Sequence, residues 1–561
     1  MNQTYNFKWW QNTIVYQIYP RSFKDSTGNG IGDLRGVISK LDYVVDLGIE
    51  TIWFNPFFPS PQQDHGYDVS NYRDIHPTYG TMKDFDELIS KIHKHNLKIV
   101  LDLVINHTSM KHPWFKESAS SRDNPKRDWY IWRDGRKPNG KKPPNNWKQN
   151  VGGSAWTYYE NTDQWVYHHF LPFLVDLNYR NPDVKEEMFN IIKFWLDKGV
   201  DGFRLDIFHS IYEDKDLKDD KFCFKVFPSD DSVATLFRCH KYDLNLPETY
   251  DFAVELRTLI DSYDNPKRFL VGEVFGSFKD VIKYYGPKNN GLNLVFLFQL
   301  TSAILSFNPQ KIREILVKIE KHLPYPFTPT CVYGNHDRTR YITLLGNNEE
   351  KVKLLVTMQL TLRSVPFIYY GEEIGLPNTW FKLKNSKDPI AQKYATFPIP
   401  QITKLLGVVL SRDGCRTPMQ WSSESNAGFS DNPNAEPWLK VSDSYEQVNV
   451  EAQQNDPRSL LNHYKKLIKI RKENIELQIG NLRFINNENL KDRILGYERI
   501  FDKKSLFIYL NFSKESIKIN LPIERYSIQF RSSKIIANPE IQHDSTRIKL
   551  FPYEGIILKL L

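Results

Sequence analysis

Carboxylates follow short apolar runs at four places along the chain, and these residues could do chemistry. They are Asp102, Asp206, Glu273 and Asp337. An apolar strand that delivers a carboxylate to a loop loses free energy unless that group has a partner or a task. Any one of the four fits a structural salt bridge as well as it fits a functional role. Four such positions together favour a functional site.

Asp206 and Glu273 are the pair that would suit cleavage of a glycosidic bond. This reaction needs an ionised carboxylate that attacks the anomeric carbon and a protonated carboxyl that gives its proton to the leaving oxygen. Arg204 lies on the same side of a strand as Asp206, so we expect its guanidinium to keep Asp206 ionised. Glu273 lies among apolar residues, and burial raises the pKa of a carboxyl group. The predicted nucleophile is Asp206, and the predicted acid/base is Glu273.

Short apolar runs alternate with amphipathic stretches along most of the chain. Runs that are apolar almost throughout are typical of strands buried on both faces of a parallel sheet. Their alternation with helical patterns predicts an α/β fold, a (β/α)8 TIM barrel, in which functional residues lie where the strands end. The predicted strands are Thr13–Tyr19, Thr51–Asn55, Lys98–Ile105, Val200–Leu205, Phe269–Val274, Leu292–Gln299, Thr330–Gly334 and Phe367–Tyr370.

Two regions depart from the barrel pattern. Residues 107–176 are rich in Pro, Gly, Asn, Trp and Tyr, and we expect a loop-rich inserted B domain after the third strand, over the catalytic face. The catalytic barrel then comprises residues 1–106 and 177–475. Residues 476–561 contain short alternating runs, which predict a C-terminal all-β sandwich domain. Its predicted strands are Arg493–Arg499, Ser505–Asn511, Ser516–Leu521, Arg547–Leu550 and Gly555–Leu560.

Composition excludes several other functions. The net charge of +8 is small for 561 residues, and the densest basic stretch, Arg133–Lys148, is broken by Pro and Gly, so a solvated loop is favoured over a nucleic-acid surface. The four cysteines form no C-x-x-C pair, which is typical of reduced thiols. No apolar run has the length of a signal peptide or a membrane span. We predict a cytoplasmic protein without nucleic-acid or membrane partners, and the oligomeric state stays open.

The segments around the four carboxylates resemble, in chain order, the four best-known motifs of the α-amylase family of glycoside hydrolases. Further segments look like the α-glucosidase and oligo-1,6-glucosidase branch of that family, and the resemblance covers nearly the whole chain. It implies a retaining, exo-acting α-glucosidase that releases terminal α-linked glucose from short oligosaccharides or other small α-glucosides. The motifs are Asp102–His107, Gly202–Asp206, Gly272–Phe275 and Asn335–Asp337, and the branch segments are Val15–Phe23, Gly66–Asp68, Ile368–Gly375 and Arg416–Trp421.

The resemblance also implies a role for individual residues. Asp206 matches the nucleophile that carries a covalent glucosyl group, Glu273 the acid/base, and Asp337 the third carboxylate, which grips sugar hydroxyls and stabilises the transition state. A pocket closed behind one glucose would restrict the enzyme to chain ends. The residues implied to bind substrate are Asp64, Tyr67, His107, Phe170, Arg204, His336 and Arg416.

One loop has the spacing of a cation site. Its oxygen donors alternate with small residues, which suits calcium or magnesium, and the loop resembles the metal loop of the family. A glycine-rich turn is the alternative. The family more often has Asn and Asp at the second and third positions, so this chain has one charge fewer. The predicted ligands of a structural calcium or magnesium ion are Asp25, Thr27, Asn29, Ile31 and Asp33; no organic cofactor is expected.

Val151, Leu174 and Ile207 are predicted to set specificity. Leu174 stands where the family has a glutamine on the leaving-group side, and Val151 stands where related enzymes often have an aromatic residue. An alkyl group cannot replace the hydrogen bonds of an amide, so we expect altered acceptor recognition. Ile207 follows the nucleophile and resembles the valine that accompanies α-1,6 preference in this branch. A core-packing role for Ile207 is the alternative.

Two other functions are compatible with parts of this pattern. A glucosyltransferase or a sucrose isomerase would use the same glucosyl-enzyme, so the catalytic carboxylates do not separate these activities from hydrolysis. Some relatives are non-enzymatic subunits of amino-acid transporters. They carry a transmembrane helix and often lose catalytic carboxylates, whereas this chain has Asp206, Glu273 and Asp337 and no apolar run of that length.

Overall fold

The centre of the molecule is a parallel sheet of eight strands. The computed structural model describes residues 7–225, 229–396, 410–485, 492–522, 525–533, 540–542 and 546–561. Neighbouring strands pair in parallel; Val15, for example, lies opposite both Thr51 and Phe367. The predicted TIM barrel is therefore confirmed. Its strands are Val15–Ile18, Thr51–Phe54, Lys98–Leu103, Gly202–Leu205, Phe269–Gly272, Leu294–Val295, Thr330–Val332 and Val365–Tyr369.

The sixth and seventh strands meet through a side chain. The Thr330 hydroxyl donates to the carbonyl of Val295 (2.8 Å) and accepts from the N–H of Leu297 (3.1 Å). The predicted sixth strand, Leu292–Gln299, was too long, because only Leu294–Val295 is a strand and a helix begins at Phe298. A short run that is apolar throughout fits a buried strand and a buried helix equally well, so its hydrophobic pattern does not separate the two.

Helices cover the outside of the barrel, and several begin at a side-chain cap. Asn181 accepts from the N–H of Asp183 with Pro182 at the first helical position, where the missing N–H is not needed. Among the described residues, no helix combines the length and the apolar character that a membrane span requires. The helices are Pro20–Phe23, Leu34–Ser39, Leu41–Leu47, Met82–Lys94, Pro113–Ser120, Pro182–Asp197, Pro247–Asp261, Phe278–Val281, Phe298–Leu305, Pro309–His322, Tyr341–Leu344, Glu349–Thr361, Pro389–Lys393, Val450–Gln454, Leu460–Glu473 and Ile475–Ile479.

Apolar side chains fill the barrel interior. Val15, Trp53, Val100, Val271 and Phe367 belong to one buried cluster inside the ring of strands. A larger cluster packs the outer faces of the strands against the helices. The interior of the barrel is thus a packed core, and it supports the residues at the carboxyl ends of the strands.

The chain between the third and fourth barrel strands forms two small antiparallel sheets. One has the strands Trp132–Arg133, Gln164–Tyr167 and Trp156–Tyr159, with its own aromatic core. The other pairs His107–Ser109 with Leu174–Asp176, so that His107 lies opposite Asp176 and Leu174 lies opposite Ser109. This region is the predicted insertion after strand three. The exact domain boundaries stay a prediction.

The C-terminal region is a separate antiparallel β structure, as predicted. In the described part of this region, six strands form one sheet and two more form a pair. The terminal sheet begins at Asn481, after the short helix Ile475–Ile479, and three of its strands were not predicted: Asn481–Phe484, Tyr526–Arg531 and Glu540–Gln542. The predicted strands are found as Ile494–Phe501, Lys504–Asn511, Ile517–Asn520, Arg547–Leu550 and Gly555–Leu560.

Candidate active site

Strand alternation places polar residues directly above the apolar core of the barrel. Side chains two residues apart on a strand share a face, so Asp102 follows Val100 and Glu273 follows Val271 toward the barrel axis. The N–H of Asp206 donates to the carbonyl of Leu103 (3.2 Å), and the N–H of Glu273 donates to the carbonyl of Leu205 (2.9 Å). The neighbouring strand therefore fixes the backbone at each carboxylate.

One buried guanidinium joins the carboxylates of three strands. Arg204 donates through Nη1 to Asp206 Oδ1 (2.5 Å) and to Asp102 Oδ1 (2.8 Å), and through Nη2 to Glu273 Oε2 (2.5 Å). The predicted neighbourhood of Arg204 and Asp206 is present. The contacts with Glu273 and Asp102 were not predicted. A single planar group thus holds the predicted nucleophile and the predicted acid close together.

The ionisation of the pair differs from the expectation. Burial raises the pKa of Asp206 to about 7, although Arg204 opposes this effect. Burial likewise raises the pKa of Glu273 to about 7, again against Arg204. Burial therefore opposes the effect that we expected of Arg204, although Arg204 does lower the pKa of Asp206. Ionisation of one carboxyl disfavours ionisation of the other, which favours a state of the pair with a single proton. That state contains one acid and one carboxylate.

Asp337 has the opposite electrostatic environment. Burial would raise its pKa, but His336, Arg412 and Arg416 hold it well below its usual range. His336 Nε2 lies 3.1 Å from Asp337 Oδ2, and Arg416 Nη2 lies 2.7 Å from Asp337 Oδ1. Gln17 donates to His336 Nδ1 (2.9 Å), so the proton of this imidazole lies on Nε2. Asp337 is therefore a permanent anion within the site.

Arg412 is a site residue that is absent from the predicted set. It donates to Asp64 Oδ1 (2.6 Å) and to Asp337 Oδ1 (3.2 Å), and the buried Asp388 fixes its guanidinium (2.9 Å). Arg416, one of the predicted substrate-binding residues, donates to the carbonyl of His336 (2.7 Å) and to Asp337. The ion pair of Arg412 joins loops that are far apart in the chain, and local spacing carries no signal for such a contact.

Tyr67 and His107 lie beside these ions. Tyr67 donates to Asp102 Oδ2 (2.8 Å), and its ring stacks on His336 with 5.2 Å between the centroids. His107 is buried, and its Nε2 has no hydrogen-bond partner in the described part of the chain. Burial lowers the pKa of His107 to about 4, so the ring is neutral and can bond a ligand. The Phe170 ring lies 6.1 Å from that of His107.

An open cavity of about 480 Å³ lies at this end of the barrel, in the size range of small-molecule sites. The carboxylates Asp206, Glu273 and Asp337 all line it. The predicted binding residues Arg204, His336 and Arg416 lie behind the lining carboxylates and bond to them. The other predicted residues that line the cavity are Asp64, Tyr67, His107, Val151, Phe170, Leu174 and Ile207.

Ile207 has a strained backbone beside the predicted nucleophile. Its φ is +36°, in the left-handed region that β-branched residues rarely adopt. The Ser210 hydroxyl donates to the Ile207 carbonyl (2.8 Å), and the N–H of Phe208 donates to the carbonyl of Glu273 (2.8 Å). These bonds stabilise the turn. The turn brings the Ile207 side chain to the cavity, beyond the core-packing role considered above.

The rim of the cavity contains a contact between distant segments. The Tyr394 hydroxyl donates to the carbonyl of Val151, and Lys393 Nζ donates to the carbonyl of Gly152. The inserted region is thereby joined to the segment that follows the eighth barrel strand. Both bonds use main-chain acceptors of the inserted region.

The predicted metal loop is closed by its own hydrogen bonds. Asp25 accepts from the N–H groups of Thr27 (3.0 Å), Gly28 (2.8 Å) and Gly30 (2.8 Å), and Asn29 Oδ1 accepts from the N–H of Ile31 (2.9 Å). Asp33 accepts from Ser26 and Gly36. Oxygens surrounded by donors fit a hydrogen-bonded turn better than a cation. The calcium or magnesium site stays a prediction.

Another group of possible ligands lies next to the cavity. Asp220, His240 and Asp243 are buried, and within the described chain they bring potential ligand atoms to within 4.8 Å of one another. His240 Nδ1 lies 2.8 Å from Asp243 Oδ2, and the N–H of His240 donates to Asp220 Oδ2 (2.7 Å). These bonds anchor the segment that follows the fourth barrel strand.

Residues 17–480 match the family model for the alpha amylase catalytic domain. The chain belongs to the α-amylase family of glycoside hydrolases. An oligo-1,6-glucosidase from Parageobacillus thermoglucosidasius is 36% identical over 578 residues, which cover 98% of this chain and 99% of that protein. An α-glucosidase from Candida albicans is 39% identical over 555 residues, covering 91% and 93% of the two chains. The crystal structure of trehalulose synthase MutB from Pseudomonas mesoacidophila MX-45 gives a TM-score of 0.87 at 32% identity, covering 99% of this chain and 100% of that one.

Membership in the α-amylase family confirms the predicted resemblance and the prediction of a glycoside hydrolase. The strand ends that carry Asp206, Glu273 and Asp337 lie within the matched residues. The roles of individual residues stay predictions, and the geometry above gives each of them a physical basis.

Proposed function

We propose that this α-amylase family enzyme is a retaining, exo-acting α-glucosidase. The observation that carries the proposal is the bridging of Asp206 and Glu273 by the single guanidinium of Arg204. Retaining glycosidases need carboxyl groups about 5 to 5.5 Å apart, whereas inverting enzymes need about 6.5 to 9.5 Å to admit a water molecule. Two carboxylates bonded to one guanidinium favour the narrower spacing.

The first step forms a covalent glucosyl-enzyme. An Asp206 oxygen attacks C1 of the glucose, the bond from C1 to the leaving oxygen breaks, and Glu273 gives its proton to that oxygen. The raised pKa of Glu273, about 7, keeps the proton available near neutral pH. Asp337 remains charged and stabilises the positive charge that develops on the sugar.

The second step reverses these roles. Glu273, now a carboxylate, takes a proton from water, whose oxygen bonds to C1 as the bond to Asp206 breaks. Two displacements at the same carbon return the α configuration. Arg204 stays in contact with both carboxylates and lowers the pKa of each. It therefore stabilises the negative charge whether Asp206 or Glu273 carries it.

The charged end of the cavity suits one terminal glucose. The ion pair of Arg412 and Asp64 and the anion Asp337 offer fixed bonding partners for sugar hydroxyls. The Nε2 of His107, which has no hydrogen-bond partner among the described residues, can bond another hydroxyl, and the Phe170 ring lies 6.1 Å from the His107 ring. We expect the ion pairs among Asp64, Arg412 and Asp337 to leave no room for a further sugar beyond this glucose. The enzyme would then cleave glucose from the ends of oligosaccharides.

The test uses a panel of maltose, isomaltose, sucrose and an aryl α-glucoside, with the first product anomer followed by NMR. We expect α-glucose first from every substrate that is cleaved. Release of β-glucose first would contradict retention. Release of maltose or longer fragments from the non-reducing end of a maltooligosaccharide, in place of glucose and a chain shortened by one unit, would contradict the exo action.

Transfer to an acceptor other than water is a second candidate function. It is favoured by the likeness to the trehalulose synthase structure and by the apolar residues Val151, Leu174 and Ile207 in the cavity. Product analysis with sucrose as the donor separates the two functions, since a hydrolase gives glucose and fructose and an isomerase gives a new disaccharide. The α-1,6 or mixed cleavage inferred from Ile207 and the cytoplasmic location stay predictions.

A further inference from the structure

We propose that the apolar part of the cavity lining binds apolar alcohols and aglycones rather than a second sugar. This part, called the apolar half below, is defined by Val151, Leu174, Ile207, Val233, Ile390 and Leu410. The proposal rests on the proposed function, because it assigns the leaving group and the acceptor of the same glucosyl-enzyme. The favoured substrates are α-glucosides of aryl or alkyl alcohols.

The apolar half is built from three separate segments of the chain. Val151 and Leu174 come from the inserted region, Ile207 and Val233 from the segment after the fourth barrel strand, and Ile390 and Leu410 from the segment after the eighth. A sugar that displaces water here leaves its hydroxyls without partners, and each unmet hydrogen bond costs about 1 to 3 kcal/mol. An apolar ring or chain gains free energy from the same contact.

Most polar side chains near the apolar half already have partners. Asp230 and Arg338 form an ion pair through both carboxylate oxygens, with Arg338 Nη1 at 3.2 Å from Asp230 Oδ2, and the guanidinium lies over the ring of Phe298 at 4.0 Å. The Ser232 hydroxyl accepts from the N–H of Ala234 (3.1 Å). A sugar hydroxyl that bonds to Asp230 or Arg338 competes with this ion pair. An apolar group leaves the pair intact.

Two histidines are among the polar residues that line the cavity. His169 and His209 are buried, and burial lowers the pKa of His209 to about 3 and that of His169 well below its usual value. Both rings are neutral near pH 7. Apolar side chains with neutral imidazole rings in the same cavity suit a ligand with one hydroxyl attached to an apolar body.

The chemistry requires nothing beyond the two steps of the proposed function. In cleavage, Glu273 protonates the aglycone oxygen as the bond from that oxygen to C1 breaks and Asp206 bonds to C1. In transfer, the oxygen of an alcohol bonds to C1, its proton moves to Glu273, and the bond to Asp206 breaks. The apolar half acts only by holding the alcohol.

The experiment measures how one glucosyl-enzyme partitions between two acceptors. The donor is α-glucosyl fluoride, whose leaving group makes no use of the apolar half. Benzyl alcohol and glucose are supplied at equal concentration, and both transfer products are quantified by chromatography. We expect benzyl transfer to exceed glucose transfer by at least about tenfold. Equal transfer, or transfer that favours glucose, would overturn the proposal.

Variants at Leu174 test whether the apolar half causes the preference for benzyl alcohol over glucose. Leu174→Gln places hydrogen-bonding groups in the apolar half, and we expect the ratio of benzyl to glucose transfer to fall about tenfold. Leu174→Met is the matched control, because it conserves volume and apolar character, and it should keep the wild-type ratio within about threefold. An unchanged ratio in Leu174→Gln would contradict the assignment.

Hydrolysis of α-glucosyl fluoride without acceptor separates this proposal from the proposed function. Hydrolysis with retention in the wild type and in both Leu174 variants shows an intact glucosyl-enzyme and a folded site, so the transfer ratio alone then decides the proposal. Absence of hydrolysis in the wild type, or β-glucose as the first product, would overturn the proposed function and, with it, this inference.

Discussion

The two halves of the cavity are built by different principles. In the charged half, each ion is held by another ion from a distant loop, as in the chain of contacts from Asp64 through Arg412 to Asp388. In the apolar half, the alkyl side chains of Val151, Leu174 and Ile207 line the cavity and offer no hydrogen bonds. A sugar with several hydroxyls needs atoms at fixed positions, whereas an apolar group needs only space of the right shape. Substitutions in the charged half should therefore remove activity, and substitutions in the apolar half should change selectivity.

The largest effect is expected where the two halves meet. Asp206→Asn removes the nucleophile, and Glu273→Gln removes the acid/base, so kcat/KM for maltose should fall by about 10⁴-fold or more in each variant. The aryl α-glucoside separates the two, because its leaving group needs little protonation and Glu273→Gln should retain more of its first step. A loss of less than about tenfold in Asp206→Asn would assign the nucleophile elsewhere.

A smaller loss is expected within the charged half. Arg412→Ala leaves the buried Asp64 and Asp388 without their shared cation, and truncating one partner of a buried charge pair costs about 2 to 5 kcal/mol. We expect kcat/KM to fall at least about 100-fold, with Arg412→Lys intermediate because it keeps the charge and loses the planar fork.

The exposed Arg133 supplies the control for this loss. Arg133→Ala removes an arginine of the inserted region that does not line the cavity, and it should leave kcat/KM within about twofold. An Arg412→Ala enzyme with wild-type kcat/KM would show that the charged half does not bind the glucose.

Stability should depend on pH in opposite directions at two carboxylates. The folded pKa of Glu273, about 7, exceeds the unfolded value, so its contribution is full below the unfolded pKa and is lost as pH rises through about 7. The loss amounts to about 3 kcal/mol. Glu273→Gln removes this loss, and its melting temperature relative to the wild type should be higher at about pH 8 than at about pH 5.

Asp337 has a depressed pKa, so its contribution to stability changes with pH in the direction opposite to that of Glu273. Its contribution to stability is present above the unfolded pKa and is lost as pH falls through the folded value. Asp337→Asn should therefore lower the melting temperature near neutral pH and have less effect in acid. Thermal scans of both variants at several pH values check these two directions. If the melting temperatures of the two variants, relative to the wild type, changed with pH in the same direction, the assigned environments would be contradicted.

The smallest effect is expected in the apolar half. Val151→Ala removes two methyl groups from a half-buried position and no hydrogen bond of its side chain. We expect kcat/KM for α-glucosyl fluoride to change by less than about threefold, because this substrate does not occupy the apolar half. A loss that matched Arg412→Ala would remove the distinction between the halves.

Sequence spacing was sufficient for features that repeat along the chain. The barrel and the strand-end positions of Asp206, Glu273 and Asp337 could be predicted because each strand is an apolar run and each carboxylate follows one. The sixth strand was overextended because Leu292–Gln299 is mostly apolar, although its second part forms a helix.

Contacts between loops could not be predicted in this way. Arg412 pairs with Asp64, and Asp230 pairs with Arg338, across long stretches of chain. Either partner alone is an ordinary charged loop residue. The ionisation of Asp206 was missed for a related reason, since the effect of Arg204 is local in the sequence whereas burial results from the whole barrel end.

The bonds at the rim of the cavity bear on how such an enzyme can diversify. Tyr394 and Lys393 bond to the main-chain carbonyls of Val151 and Gly152, and every amino acid offers the same carbonyl. A mutation at position 151 can therefore alter the wall of the cavity while the attachment of the inserted region persists. At the rim, the main chain holds the inserted region in place, and the side chain at position 151 is free to vary. Single substitutions there can therefore change which leaving groups the enzyme accepts while the fold is kept.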